Sequence, residues 1–103
     1  MNNIITLTTT TTAPFAIGDT ITPTTAVKGE PYIVLAFHLI HEAREGMYAE
    51  WGVLCALPNN KYSPFGSWVA IARPEGIYFE GGMYSRDLTD AVRIYSQRTG
   101  ARA

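Results

Sequence analysis

The sequence contains two histidines, His38 and His41, at a spacing that would suit a metal site on a helix. Side chains three residues apart share a helix face, whereas on a β-strand they point to opposite faces of the sheet. The surrounding apolar and β-branched residues favour a strand, which would keep the two imidazoles from sharing a zinc ion. The His-Glu-x-x-His pattern of zinc proteases does not occur. We therefore predict no metal site.

Three further groups could carry out catalysis, but each has a simpler interpretation. Cys55 lies among apolar residues of a predicted strand, where a free cysteine behaves as a small hydrophobic side chain with an inert thiol. Glu50 and Glu80 could be neighbours across two strands, but nothing in the sequence indicates a cleft around them. Glu42 and Glu45 belong to a polar loop. We expect no catalytic residue, and therefore a protein that is not an enzyme.

Aromatic residues are typical components of a binding surface, and several of them lie in the loop after the central strand and in the last two predicted strands. Five of them, together with one arginine, are the candidate partner-binding residues: Tyr62, Phe65, Trp68, Arg73, Tyr78 and Tyr84. Trp, Tyr and Arg are enriched at the energetic centres of protein interfaces. Aromatic rings beside an arginine can also stack the bases of single-stranded nucleic acids or nucleotides. A third interpretation, in which most of these rings are core, stays open.

The charge balance argues against a polyanion as the main partner. Eight Lys and Arg residues against nine Asp and Glu residues give a formal net charge of −1. Domains that bind duplexes usually carry a basic excess, which displaces counterions. No glycine-rich phosphate loop is present either. We expect a protein partner first, a nucleic acid second, and no cofactor.

Composition also indicates a cytoplasmic protein. The first residues lack the basic residue and the apolar length of a secretory signal, and a single cysteine cannot form an internal disulfide. No apolar run approaches the roughly 20 residues of a membrane span.

The stretch from Tyr48 to Leu57 is the predicted central strand. Glu50 is placed on its outer face, because charged side chains are seldom buried. Alternation then directs four residues toward the core, namely Trp51, Val53, Cys55 and Leu57. Gly52 would lie on the Glu50 face and would let another element approach closely.

Other strands are predicted on both sides of this one. Tyr32 to His41 is interpreted as a strand, with a helix over residues 34–43 as the alternative, because periodicity does not separate the two. Ser67 to Arg73 and Ile77 to Glu80 follow, and Gly81-Gly82 indicates a break or a bulge. A short strand over Thr20 to Thr22 would bring the number of strands to five.

The C-terminal segment has the pattern of an amphipathic helix. Its apolar stripe consists of Leu88, Ala91, Val92 and Tyr95, and Asp87 or Ser85 can cap its start. We predict an α+β fold, an antiparallel meander of four to five strands with this helix packed on one face, the Trp51 face. The reverse face and the sheet edges would be free to bind a partner or a second copy in a homodimer. Residues 1–13 are a Thr-rich tail or edge strand, and residues 14–103 form a single domain.

Three motifs follow one another between Tyr32 and Arg98. They are Leu57-Pro58, then Pro64-Phe65-Gly66-Ser67-Trp68, then the segment from Gly82 to Val92 that leads into the helix. This order resembles small sheet-plus-helix domains of phage and mobile-element accessory proteins. The resemblance implies an antiparallel sheet with one helix. It also implies a protein that inhibits a host defence protein by direct binding, as an anti-CRISPR protein does. It assigns no catalytic residue.

Overall fold

The computed structural model describes residues 13–23 and 30–100. The elements in this part are β1 (Thr20–Ile21), β2 (Tyr32–His41), β3 (Ala49–Ala56), β4 (Phe65–Arg73), β5 (Gly76–Ser85) and α1 (Leu88–Thr99). The strands form one antiparallel sheet in the order β1-β2-β3-β4-β5. The predicted α+β meander with a C-terminal helix is confirmed, and the helical alternative for residues 34–43 is wrong. The predicted tail over residues 1–13 lies outside the described residues, except for Ala13.

Bulges in β2 and β5 curl the sheet into a half-barrel. The pairing of β2 with β3 leaves Leu35 and Ile40 as extra residues. On β5, Gly81 and Gly82 together face the single residue Trp68, and Gly81 has a φ of 65°. Of the two alternatives predicted at Gly81-Gly82, a break or a bulge, the structure has the bulge, and β5 continues beyond the predicted end at Glu80 to Ser85. Bulges bend a strand and increase its twist. The sheet therefore curves, and the side chains on its concave side pack against one another.

This concave side contains the larger core. The four residues predicted to point inward, Trp51, Val53, Cys55 and Leu57, are all buried there. Their neighbours are Tyr32 and Val34 of β2, Trp68 and Ala70 of β4, and Phe15 from the segment before β1. The ring of Phe15 makes edge contacts with Phe37 and Trp51, at centroid distances of 5.2 and 5.9 Å. The sheet and the Phe15 segment thus enclose this core without the helix.

The helix packs on the other, convex side, so the prediction that it covers the Trp51 face is wrong. Ala91 and Tyr95 of α1 form a second buried cluster with Leu54, which alternates with Val53 and Cys55 along β3. Leu88, predicted to belong to the buried stripe, is exposed. Large side chains already fill the concave side, and the helix packs on the convex side over Leu54 and Gly52 of β3. A Cβ atom added at Gly52 would overlap the Thr99 methyl group, which confirms the predicted close approach.

Side-chain and backbone caps define both ends of α1. Asp87 accepts a hydrogen bond from the Asp90 amide at 2.8 Å, and Gly100 ends the helix with a φ of 74°. Arg98 donates to the carbonyl oxygens of Ser67 and Gly81, which ties the last turn to β4 and β5. Among the described residues, no helix has the length and the apolar character required to cross a membrane.

Candidate partner-binding site

The six candidate residues do not form one aromatic face. Trp68 is only 1% exposed, and Phe65 packs against the cluster under the helix. Tyr62 lies in the loop before β4 and is 78% exposed, whereas Arg73 ends that strand. At about 3.4 Å per residue, β4 holds the two ends roughly 27 Å apart. The candidates are therefore divided among the core, a loop, and the surface around Arg73.

Trp68 belongs to the core, which corrects its prediction as a partner-binding residue. Its indole lies over two glycines, because a Cβ at Gly66 or Gly82 would overlap the ring. Tyr32 and Tyr84 contact it edge-on, at centroid distances of 5.2 and 5.4 Å. The Tyr32 and Tyr84 hydroxyls lie 3.3 Å apart, and burial together with this hydrogen bond raises the pKa of Tyr84 to about 12. Tyr84 thus closes one end of the half-barrel.

The Tyr62 loop forms a shallow cavity of about 300 Å³, lined by Glu30, Asn59, Asn60, Lys61 and Tyr62. The Asn60 side chain accepts hydrogen bonds from the amides of Tyr62 and Ser63, at 3.1 and 2.9 Å. This Asx-type turn accounts for the shape of the loop.

A group of aromatic and charged side chains, exposed or half-buried, lies on the convex face where α1 ends. Thr99, the last helical residue, covers Gly52, so the convex face beyond Gly52 is not covered by the helix. Strand pairing aligns Glu50, Ile71 and Tyr78 across β3, β4 and β5. The surface, called the helix-free patch below, comprises His41, Tyr48, Glu50, Ile71, Arg73 and Tyr78. It spans four strands, or about 14 Å.

Arg73 is the centre of the helix-free patch. Its guanidinium carbon lies 4.2 Å from the ring centroid of Tyr78 and 5.7 Å from that of Tyr48, both within cation–π range. The two rings remain 42% and 48% exposed. No described residue accepts a hydrogen bond from the guanidinium, and its Nε is buried without a partner. The described residues therefore hold a charged group in a defined position without using its hydrogen-bond donors.

The nearest carboxylate of the patch is already paired. His41 Nε2 lies 3.4 Å from Glu50 Oε2, and His41 Nδ1 lies 3.1 Å from the Glu42 carbonyl oxygen. Both side chains are partly buried, which favours a fixed geometry over a mobile surface pair. Glu50 is therefore oriented toward β2, away from Arg73.

The two histidines lie on the same face of the sheet, so the prediction that they point to opposite faces is wrong. His38 pairs with Gly52 and His41 with Glu50, so the bulge at Ile40 brings both imidazoles to the convex face. Strict alternation along the strand predicts opposite faces for His38 and His41, because it does not include the extra residue, Ile40, of the bulge. Even so, no three His, Cys, Asp or Glu side chains in the described part of the chain could together hold a metal ion.

The other catalytic candidates are separated or inert. Cys55 is fully buried, and this burial raises the pKa of its thiol to about 12, so no thiolate nucleophile is present near neutral pH. Glu50 and Glu80 lie on β3 and β5 with β4 between them. Glu50 pairs with Ile71 and Glu80 with Val69, so the two backbones are about 12 Å apart and the residues are not cross-strand neighbours.

Sequence reasoning identified Arg73 and Tyr78 but missed their neighbours Tyr48 and Ile71. A signal was available, because Tyr48 has the same parity as Glu50 along the chain and so shares its face. The residues on the solvent side of the central strand, taken together, therefore include Tyr48.

No protein-family model matches this chain. The curated proteins contain no match to it, and none of the solved structures matches it. The interpretation of the helix-free patch therefore rests on its own geometry.

Proposed function

We propose that this chain is a non-enzymatic interaction domain that binds a protein partner through the helix-free patch. One observation carries the proposal: Arg73 is positioned by Tyr48 and Tyr78, yet no described residue uses its hydrogen-bond donors. Tyr and Arg side chains are enriched among the residues that dominate binding energy at protein interfaces, and Tyr buries a large area at low entropic cost.

The size of the patch defines its role in an interface. A stable interface buries about 800 Å² on each partner, whereas a surface about 14 Å across provides roughly a quarter of that. The patch therefore supplies the energetic centre, and the surrounding residues supply the rim.

The kind of partner follows from the resemblance of residues 32–98 to accessory domains of phages and mobile elements. We extend the proposal to a host protein, in particular a defence protein, which the domain inhibits by occupying its surface in the host cytoplasm. An inhibitor of this type needs a surface complementary to its target and sufficient affinity for it, but no catalytic group.

Binding can be tested by capture from bacterial lysate, followed by measurement with the purified partner. We expect Arg73→Ala and Tyr78→Ala each to weaken binding by about 2 kcal/mol, or roughly thirtyfold. Arg86→Ala is the matched control, because Arg86 is exposed and lies outside the patch. Equal affinity of the wild type and both patch variants would contradict the proposal, as would an equal loss in the control.

A second candidate function, binding of single-stranded nucleic acid or nucleotides, is favoured by the same stack, because Tyr48, Arg73 and Tyr78 could hold a base. Such binding strengthens as salt is lowered. Titration of a short oligonucleotide at about 50 mM salt tests it, and absence of binding there would remove this candidate.

A further inference from the structure

We infer that Arg73 binds a single carboxylate of the partner, so that the helix-free patch recognises an acidic segment of a protein. This inference rests on the proposed function and names its chemistry. It starts from the donors of Arg73, which no described residue uses. A guanidinium presents its N–H groups in a planar fork that matches the two oxygens of a carboxylate.

The surroundings of Arg73 determine how a ligand can approach. Because Nε is buried, only the two terminal amino groups can reach a partner, and they suit an end-on carboxylate. The guanidinium carbon of Arg73 lies over the ring faces of Tyr78 and Tyr48, and these two contacts restrict its movement. Ile71, half-buried in the neighbouring row, would exclude water from one side of the contact. The site is preorganised, which lowers the entropic cost of binding.

Charge distinguishes a carboxylate from a phosphate or a polyanion. Arg73 is the permanent cation of the helix-free patch, and Glu50 lies one strand and one row away from it. Arg98, at the end of α1, already donates to the Ser67 and Gly81 carbonyls. One cation can balance the single negative charge of a carboxylate, whereas a phosphate monoester carries up to about two charges and a nucleic-acid strand carries one at every phosphate. The geometry therefore fits an Asp or Glu side chain.

The test uses the ¹⁵N-labelled full chain and follows the side-chain Nε–H signal of Arg73 by NMR. The probes are acetyl-Gly-Glu-Gly-amide and its neutral match acetyl-Gly-Gln-Gly-amide, with inorganic phosphate and an eight-nucleotide oligothymidylate as competitors. The Glu peptide should shift the Arg73 signal with saturation, while the Gln peptide and the Arg86 signal show no such change. Arg73→Lys keeps the charge but loses the fork, so it should weaken binding of the Glu peptide, followed through backbone signals of the patch, about tenfold.

The remaining outcomes separate this inference from the proposed function. If phosphate or the oligothymidylate saturates the Arg73 signal at a lower concentration than the Glu peptide, the inference is overturned in favour of nucleic-acid binding. If the Glu peptide leaves the signal unchanged while Arg73→Ala abolishes partner capture, the carboxylate is wrong and the interaction surface stands. If the Glu peptide leaves the signal unchanged and Arg73→Ala does not weaken partner capture, both the carboxylate inference and the proposed interaction surface are wrong.

Discussion

Gly52 lies directly under the end of the helix, and its replacement tests the placement of the helix on the convex face. In Gly52→Ala, the new methyl group would overlap Thr99 Cγ2 and would lie 3.4 Å from Thr99 Cβ and 3.8 Å from Tyr95 Cε1. Thr99 cannot simply rotate away, because its hydroxyl donates to the Tyr95 carbonyl at 2.9 Å. The helix end must therefore shift or lose this hydrogen bond.

The expected cost can be worked out from two opposing effects. Overpacking of this kind destabilises by about 1–3 kcal/mol, whereas alanine in place of glycine inside a strand returns about 0.5–1 kcal/mol. We expect a net loss of about 1–2 kcal/mol in the free energy of unfolding. For a domain of this size, that lowers Tm by roughly 5–10 °C.

A double-mutant cycle with Thr99→Ala separates the overlap from other effects. Thr99→Ala removes the methyl group that Gly52→Ala would strike, so the double variant should be about 1–2 kcal/mol more stable than additivity predicts. Urea unfolding of the wild type, both single variants and the double variant provides the four values. Additive effects, or a Gly52→Ala variant as stable as the wild type, would refute the placement of α1 on the convex face.

Four further predictions concern the core, the helix cap and the sheet edge. Burial raises the pKa of Cys55 from 9.0 to about 12, so the unfolded chain loses this proton first. Stability should fall by up to about 1.4 kcal/mol per pH unit between those values, and the decline should be shallower in Cys55→Ala on urea unfolding. Trp68→Ala should cost about 3–5 kcal/mol, so a loss of partner binding in that variant that is not accompanied by destabilisation would return Trp68 to the binding site. Asp87→Ala should cost about 1 kcal/mol through the lost cap, and unchanged thermal unfolding would contradict the assigned helix start. A homodimer through a sheet edge stays a prediction; light scattering would show twice the 11.3 kDa chain mass, and a monomer at high concentration would exclude it.

Some candidate residues were predictable because their signal is local. Arg73 and Tyr78 stood out by residue type, and strand parity would have added Tyr48. Their combination was not predictable, because a 4.2 Å contact between Arg73 and Tyr78 depends on the register of β4 with β5. That register includes a bulge opposite Trp68, whose position changes which residues face each other.

The core illustrates the same distinction. Alternation along the central strand correctly placed Trp51, Val53 and Cys55 inward, since burial of a charged Glu50 would be costly. It did not reveal that Trp68 fills the same interior, over Gly66 and Gly82. An aromatic residue in a strand has the same local pattern whether it faces solvent, a helix or the inside of a curled sheet.

The sequence by itself determined the α+β meander, the inward residues of the central strand and the capped terminal helix, because periodicity and end signals are properties of neighbouring residues. Only the tertiary structure decided where the helix packs and which surface it leaves uncovered. Both faces of β3 carry apolar side chains, Val53 on one and Leu54 on the other, so local pattern could not choose between them. The choice came from the curvature of the sheet and the space above Gly52, which depend on contacts between residues far apart in the chain.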